Sequence, residues 1–361
     1  MMLNVPPPYG GGELLGEAMA NFFKDKSGYE VYTFNRGKAT KKTQGRVNLK
    51  NILDGMRWVF SGIDLMVEHQ PKRLFLSIPK NTAAFLRSLP LIEYASQTGI
   101  RIYGELPGAR FQFLDSPGLV SRIGLHYLRK FHSIRFLGES IQEYYKSTGI
   151  KNPVVIDNGI LAPSLPQEKT NLAAARPLQL LYVGALNRSK GVAELVQAVS
   201  ILIESGHDVA CTLVGEWSDQ HLKDEIERKC TMNPELKNRL RFTGLVTGDD
   251  KWKEYSGASI LVHPTTWDGQ PLTILEAMAM GLCIVSTNVG AIPDTVEDGY
   301  NGRVLETNDP NAVAEAVAWY YNNPAELATV MLRNRRTYEE RFTQNKYLTN
   351  IQRWLENSST S

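Results

Sequence analysis

The segment 263–281, HPTTWDGQPLTILEAMAMG, holds two carboxylates, Asp268 and Glu276, with seven residues between them. The apolar run 258–262 stops at Pro264, as a buried parallel strand does at its carboxyl end. A polar loop follows, and Pro271 then stands where the first turn of a helix tolerates a residue without an N–H. Leu272, Ile274, Leu275, Met278 and Ala279 give that helix an apolar face, and Gly281 suits its C-terminal cap. One acid therefore lies in the loop and the other about a turn into the helix. A helix N-terminus with free N–H groups, beside the crevice of a parallel sheet, binds anions. The same pattern also describes an ordinary strand, loop and helix whose acids face water. These residues alone leave both readings open.

The elements around the segment alternate. Strands are expected at 178–183, 209–214, 240–242, 259–262, 283–286 and 303–305, with helices between them. One of these helices carries Val192, Leu195, Val196, Val199, Leu202 and Ile203 at spacings of three and four. That is a doubly wound parallel sheet. Beyond it, 310–322, 325–340 and 346–356 read as helices. In the first half, a strand at 1–5 leads through the proline- and glycine-rich 6–13, with Gly11 and Gly12, into a helical pattern from Leu14. Such a loop suits close approach of backbone to a phosphate or sugar, and equally a flexible turn; it is neither a GxGxxG fingerprint nor a P-loop. Strands at 29–34, 74–78, 100–103, 133–137 and 154–156, with helices at 83–98 and 140–147, complete an α/β half. The strand at 100–103 opens into a loop, 104–111, that includes Glu105 and Arg110 and is expected to face the same crevice as the glycine loop. Residues 161–177, rich in Pro, Ala and polar side chains, are the linker candidate.

A chain of 361 residues is long for one core, so two domains are expected. Its 42% hydrophobic and 22% charged residues make it globular. No run approaches the ~18 apolar residues of a membrane span, and the start lacks a signal-peptide pattern. Cys211, Cys230 and Cys283 have no metal-ligand spacing and read as reduced, structural thiols of a cytosolic protein. With a formal charge of +2, any basic partner surface must be local. Residues 36–50 carry Arg36, Lys38, Lys41, Lys42, Arg46 and Lys50 without an acid. Residues 122–135 carry Arg122, His126, Arg129, Lys130, His132 and Arg135, interleaved with Leu125, Tyr127, Leu128 and Phe131. Both stretches suit an anionic membrane surface or a diphosphate-bearing acceptor, or are simply solvated basic faces. No nucleic-acid module accompanies the charge, so nucleic acid is not an expected partner.

With Gly184, Lys190-Gly191, Asp268 and Glu276 placed, the second half resembles the retaining glycosyltransferases of family 4. The likeness spans 178 to about 305 and rests on three motifs in order: YVGALNRSKG at 182–191, the Asp–seven–Glu segment with EAMAMG at 276–281, and IVSTNVGAIPDTVEDGYNG at 284–302. The first half matches more loosely, through the glycine loop and residues 140–160. The resemblance implies the α/β GT-B architecture: two Rossmann-like doubly wound domains facing an interdomain cleft, with a C-terminal helix packing back on the first. The expected division is an acceptor-binding domain at 1–165, a donor-binding domain at 166–340, and the returning helix at 341–361.

The implied chemistry is transfer of a hexose from a nucleoside diphosphate with anomeric configuration retained. Lys190 matches the family's diphosphate lysine. Backbone groups of Gln270, Leu272 and Thr273 would cap the same phosphates without a metal, whereas Pro271 has no N–H to give. Glu276 matches the acid that accepts from the ribose hydroxyls, and Asp268 the family's first Glu, beside the donor sugar and Gly269. The base is expected against Gly244, Leu245 and Val246. Three departures stand out. The first acid is Asp, one methylene short. The arginine usually following Gly184 is Ala185, with Arg188 the nearest substitute. The loop 104–111 lacks the His that many relatives carry, leaving Glu105 or Arg110 to take part of its work. Family frequency points to UDP and glucose, with no cofactor and no metal. The expected acceptor is a glycan or lipid-linked sugar, and the setting is cytoplasmic, at the inner face of the membrane where the acceptor is a lipid. A nucleotide-sugar epimerase of the same plan, or a degenerate nucleotide-sugar-binding protein, is the alternative.

Overall fold

The computed structural model describes residues 2–3, 11–35, 49–115, 118–164 and 169–357. The start of the glycine loop, 4–10, and the basic stretch 36–48 lie outside the described residues. Contacts divide the chain into two units: Met1–Asn158 with Tyr347–Ser361, and Gly159–Lys346.

The first unit is built on a parallel sheet. Its strands are β1 (Met2–Leu3), β2 (Phe34–Asn35), β3 (Arg73–Ser77), β4 (Arg101–Glu105), β5 (Ser133–Phe136) and β6 (Pro153–Val155), in the order β2-β1-β3-β4-β5-β6. Of the strand expected over 29–34 only Phe34 is strand, in β2; residues 29–33 are irregular. Their apolar alternation serves packing instead, since Tyr29 and Val31 lie on the core beside Phe23. A 21-residue helix, Leu49–His69, occupies a stretch for which the sequence reading gave no element. Asn81 caps the helix Thr82–Gln97, its side chain accepting from the N–H groups of Ala83 and Ala84.

The C-terminal helix Gln344–Asn357 belongs to this unit from Tyr347 onward. Tyr347, Leu348, Ile351, Trp354 and Leu355 fall on one face by helical spacing and join Met19, Phe23, Phe75 and Tyr103 in a single core. Trp354 meets Phe75 and Tyr103 edge-on, and its indole N–H donates to Ser133 Oγ at 2.7 Å.

The second unit has strands β7 (Leu178–Val183), β8 (Val209–Val214), β9 (Leu240–Gly244), β10 (Ile260–His263), β11 (Cys283–Thr287) and β12 (Gly302–Leu305), all parallel. Their order is β12-β11-β10-β7-β8-β9, the doubly wound Rossmann order. The period-2 alternation of β7 sends Leu180 and Tyr182 to one core and Leu181 and Val183 to the other. The first core packs helices Val192–Glu204 and Pro310–Asn322. The second packs Tyr255 of helix Gly248–Gly257 and Leu275 and Met278 of helix Leu272–Ala279.

Part of the linker candidate is packed structure. Ala173 is buried, and Lys169 Nζ donates to the carbonyls of Tyr255 and Ser256 at 2.7 and 2.6 Å, closing the end of helix Gly248–Gly257. Residues 165–168 lie outside the described residues. Cys211 and Cys283 are free and buried, and burial pushes both thiols up to about 12, so they are unreactive core.

Replacing Trp354 by Ala is expected to cost about 3–5 kcal/mol, the usual range for a buried Trp. Trp319, 44% exposed, should cost within about 0.5 kcal/mol on the same change. Urea midpoints of the two variants measure the contrast, and equal midpoints would remove Trp354 as the anchor of the returning helix.

Candidate functional site

In the second sheet the chain runs from β7 outward to β9, then crosses back to β10 on the other side of β7. Loops after β7 and β10 therefore part at the carboxyl ends of these strands, leaving the crevice where doubly wound sheets bind ligands. The two loops are held by close backbone approach. Gly191 has φ +72°, and a Cβ there would sit 1.9 Å from the carbonyl oxygen of Pro264. Gly290, at φ +62°, lies so near the carbonyls of Asp268 and Gly269 that a Cβ would meet them at 2.4 and 2.5 Å. The N–H of Thr266 donates to Ser189 O at 2.9 Å, and that of Ala291 to Gly269 O at 2.8 Å.

These contacts bring Lys190 and Asp268 together. Asn187 caps the short turn before the lysine, accepting from Lys190 N–H at 3.1 Å. Lys190 Nζ donates to Trp267 O at 3.1 Å and to Asp268 Oδ2 at 2.5 Å. The same carboxylate oxygen lies 3.3 Å from His263 Nε2, a ring 2% exposed at the end of β10. Burial would raise the Asp268 carboxyl, but the hydrogen bond and charge it meets at His263 and at Lys190 outweigh burial and hold it well below the usual carboxylate range. The sequence reading did not single out His263; an imidazole closing an apolar strand beside a loop acid was the available signal.

Helix Leu272–Ala279 begins at Pro271, and no side chain caps its first turn. Thr273 Oγ1 is buried there without a partner among the described residues. Gln270 is 5% exposed and turns its amide to Thr295 Oγ1 at 3.0 Å. Glu276, 8% exposed, accepts from Lys251 Nζ at 2.6 Å through Oε1 and from Tyr255 Oη at 2.7 Å through Oε2. Burial, then the charge and hydrogen bond of Glu276, keep the Tyr255 phenol protonated far above its ordinary range. Neither Lys251 nor Tyr255 figured in the sequence reading. After β9, Gly244 (φ +72°) starts a loop in which Leu245 is 61% exposed and Val246 rests on the core. Gly184 follows β7 at φ +155°, and Ala185 is exposed.

Arg188 is not drawn to this cluster: its guanidinium pairs with Glu225 on the helix Gln220–Met232. Among the described residues, no three His, Cys, Asp or Glu side chains converge as metal ligands.

Residues 177–323 match the sequence family described as Glycosyl transferases group 1. The likeness to that family lies within the second unit. The capsular polysaccharide biosynthesis glycosyltransferase CapM of Staphylococcus aureus is 27% identical over 163 residues, 45% of this chain and 41% of that protein. The lipopolysaccharide core biosynthesis mannosyltransferase LpsB of Rhizobium meliloti is 30% identical over 148 residues, 40% of this chain and 42% of that protein. Each match thus takes in less than half of the relative's length. Among solved structures, Anabaena Alr3699/HepE, in complex with UDP and glucose, superposes with a TM-score of 0.71 at 17% identity over 98% of both chains. That likeness fixes the fold as GT-B, with a Rossmann-like sheet in each unit.

Lys190, Asp268 and Glu276 all fall inside the matched residues 177–323; Glu105 and Arg110 fall outside them. Glu105 is bound in an ion pair with Arg135 at 2.8 Å. Arg110 is exposed and lies over the Tyr144 ring at 4.9 Å. Arg135 corrects the basic-surface expectation, because its side chain is 1% exposed and donates to Ile156 O and Asn158 Oδ1 as well as to Glu105. Lys130 pairs with Glu93, and Leu128 and Phe131 are core. Arg122, His126 and Arg129 remain exposed. Gly11 opens the helix Gly11–Lys24, and a Cβ on Gly12 would meet nothing within 4 Å.

Two glycines with the same backbone angle test the loop clamp. Gly191→Ala combines left-handed strain with a clash against Pro264 and should cost about 2–5 kcal/mol. Gly244→Ala, with open space around its Cβ, should cost only about 1–2 kcal/mol of strain. Urea denaturation of both variants decides it; equal losses would mean that close approach at Gly191 contributes nothing.

Proposed function

We propose that the chain is a retaining, metal-independent hexosyltransferase that moves glucose from UDP-glucose to a glycan or lipid-linked acceptor in cell-envelope or exopolysaccharide biosynthesis. The observation that carries this reading is the Lys190 ammonium, set at the switch point against the loop that leads into helix Leu272–Ala279. Relatives named for capsule and lipopolysaccharide synthesis, and a structural neighbour solved with UDP and glucose, support the setting and the donor.

A sugar leaving a nucleoside diphosphate deposits negative charge on the β-phosphate. An ammonium has three N–H donors. Lys190 commits one to Trp267 O and one to Asp268, leaving the third for a phosphate oxygen. The N–H groups at the start of helix Leu272–Ala279 supply further donors for the same charge. Glu276 takes the ribose hydroxyls, and the exposed Leu245 loop the base. The acceptor hydroxyl attacks the anomeric carbon on the face from which the phosphate departs. The carbon–oxygen bond to phosphate breaks, and the departing phosphate oxygen takes the hydroxyl proton. Where the acceptor is lipid-linked, the exposed row Arg122, His126 and Arg129 would meet anionic headgroups at the cytoplasmic face.

Thermal-shift measurements with UDP-, GDP- and ADP-sugars are expected to single out UDP-glucose, and stabilisation by none of them would overturn the reading. NMR of the product should show the donor's anomeric configuration kept. Lys190→Ala should lower kcat about 10²–10³-fold, since it removes a donor whose partner charge peaks in the transition state. Glu276→Ala should raise the donor KM and lower kcat/KM.

A further inference from the structure

We propose that Lys251 and Tyr255 are a positioning pair that aims the Glu276 carboxylate at the vicinal hydroxyls of a ribose; this rests on the donor reading above. The two residues lie four apart on helix Gly248–Gly257, so they share a face. That helix and helix Leu272–Ala279 pack on the same side of the sheet, with Tyr255 and the apolar face of the second helix in one core. Their side chains meet at Glu276, and Tyr255 Oη also lies 3.4 Å from Thr273 O. Lys251 binds Oε1 at 2.6 Å and Tyr255 binds Oε2 at 2.7 Å.

Each carboxylate oxygen has more than one acceptor direction, so one donor per oxygen fixes the plane of the group and leaves the outer lone pairs open. A vicinal diol offers two hydroxyl donors at a matching separation. Tyr255 is wholly buried and cannot follow a flexible partner, while Lys251 at 20% side-chain exposure closes the solvent side.

The cost of the arrangement argues against a mere strut. Lys251 sits in the first turns of its helix, where the backbone dipole disfavours a cation. A nearly buried ion pair is also no better for stability than apolar side chains of the same volume. A brace between two helices needs neither a charge nor a phenol. A carboxylate that must keep one orientation at 8% exposure is served by both.

The test is calorimetric titration of the full chain with UDP and with 2′,3′-dideoxy-UDP. Wild type should prefer UDP by about 10²–10⁴-fold, the worth of two hydroxyls donating to a charged acceptor. Lys251→Met and Tyr255→Phe should each cut that preference at least about five-fold, with affinity for the dideoxy nucleotide held within about two-fold. Tyr255→Phe removes a single oxygen from the core, so it keeps the question answerable if Lys251→Met fails to fold. A structural brace would lower melting temperature and weaken both nucleotides alike. Either folded variant retaining the full preference overturns the proposal alone. Wild type binding neither nucleotide overturns the donor reading, and this inference with it.

Discussion

Pro264 passes Gly191 so closely that no side chain fits between them, and the backbone at Asp268 and Gly269 does the same at Gly290. These two steric constraints lock the loops after β7, β10 and β11 into one layer at the switch point. Ser286 Oγ donates to His263 O at 2.7 Å and Thr287 Oγ1 to Thr265 O at 2.5 Å, so β11 also holds the β10 loop from beneath. The lysine and the loop acid are therefore placed by main chain, and their side chains need little ordering when a ligand arrives. Binding residues on loops that a rigid sheet positions are what such a fold can supply.

The second unit was legible because its strands are buried on both faces. A run such as 283–287 is apolar or small at every position, and the structure buries all five residues. The first unit was harder where short edge strands give weak patterns. Residues 29–33 alternate like a strand yet pack as irregular chain, and local pattern carries no information on which neighbour receives them. The helix Leu49–His69 follows a stretch of basic residues whose charge drew the reading away from periodicity.

Charge was the less reliable guide to the site. Arg135 stands in a basic stretch of the sequence, but it lies on an interior strand buried at all four positions, where its side chain finds Glu105, Ile156 O and Asn158. In the sequence a turn, a proline and a helical face single out Asp268 and Glu276, whereas Lys190 stands out only through its likeness to a family motif. Lys251 and Tyr255 are 25 and 21 residues from Glu276 and meet it only through packing of two helices on one face of the sheet. Their i, i+4 spacing was visible in the sequence; the partner that gives it meaning was not.

The two acids of the loop and helix are held by different means, and the difference bears on the proposed chemistry. Asp268 receives Lys190 and His263 on one oxygen and the Gly269 N–H at 3.0 Å on the other. A carboxyl held that far below its ordinary range has no proton to give near neutrality, and its conjugate base accepts one poorly. In the proposed transfer Asp268 would therefore supply fixed negative charge beside a sugar that becomes positive as its bond to phosphate stretches. It is not suited to general acid or general base work. Glu276 is committed through both oxygens to Lys251 and Tyr255, which suits recognition of hydroxyls more than proton transfer. In the proposed transfer, with neither acid of the segment suited to take the acceptor's proton, the departing phosphate would serve as the base, and a same-face displacement would be the course that uses it.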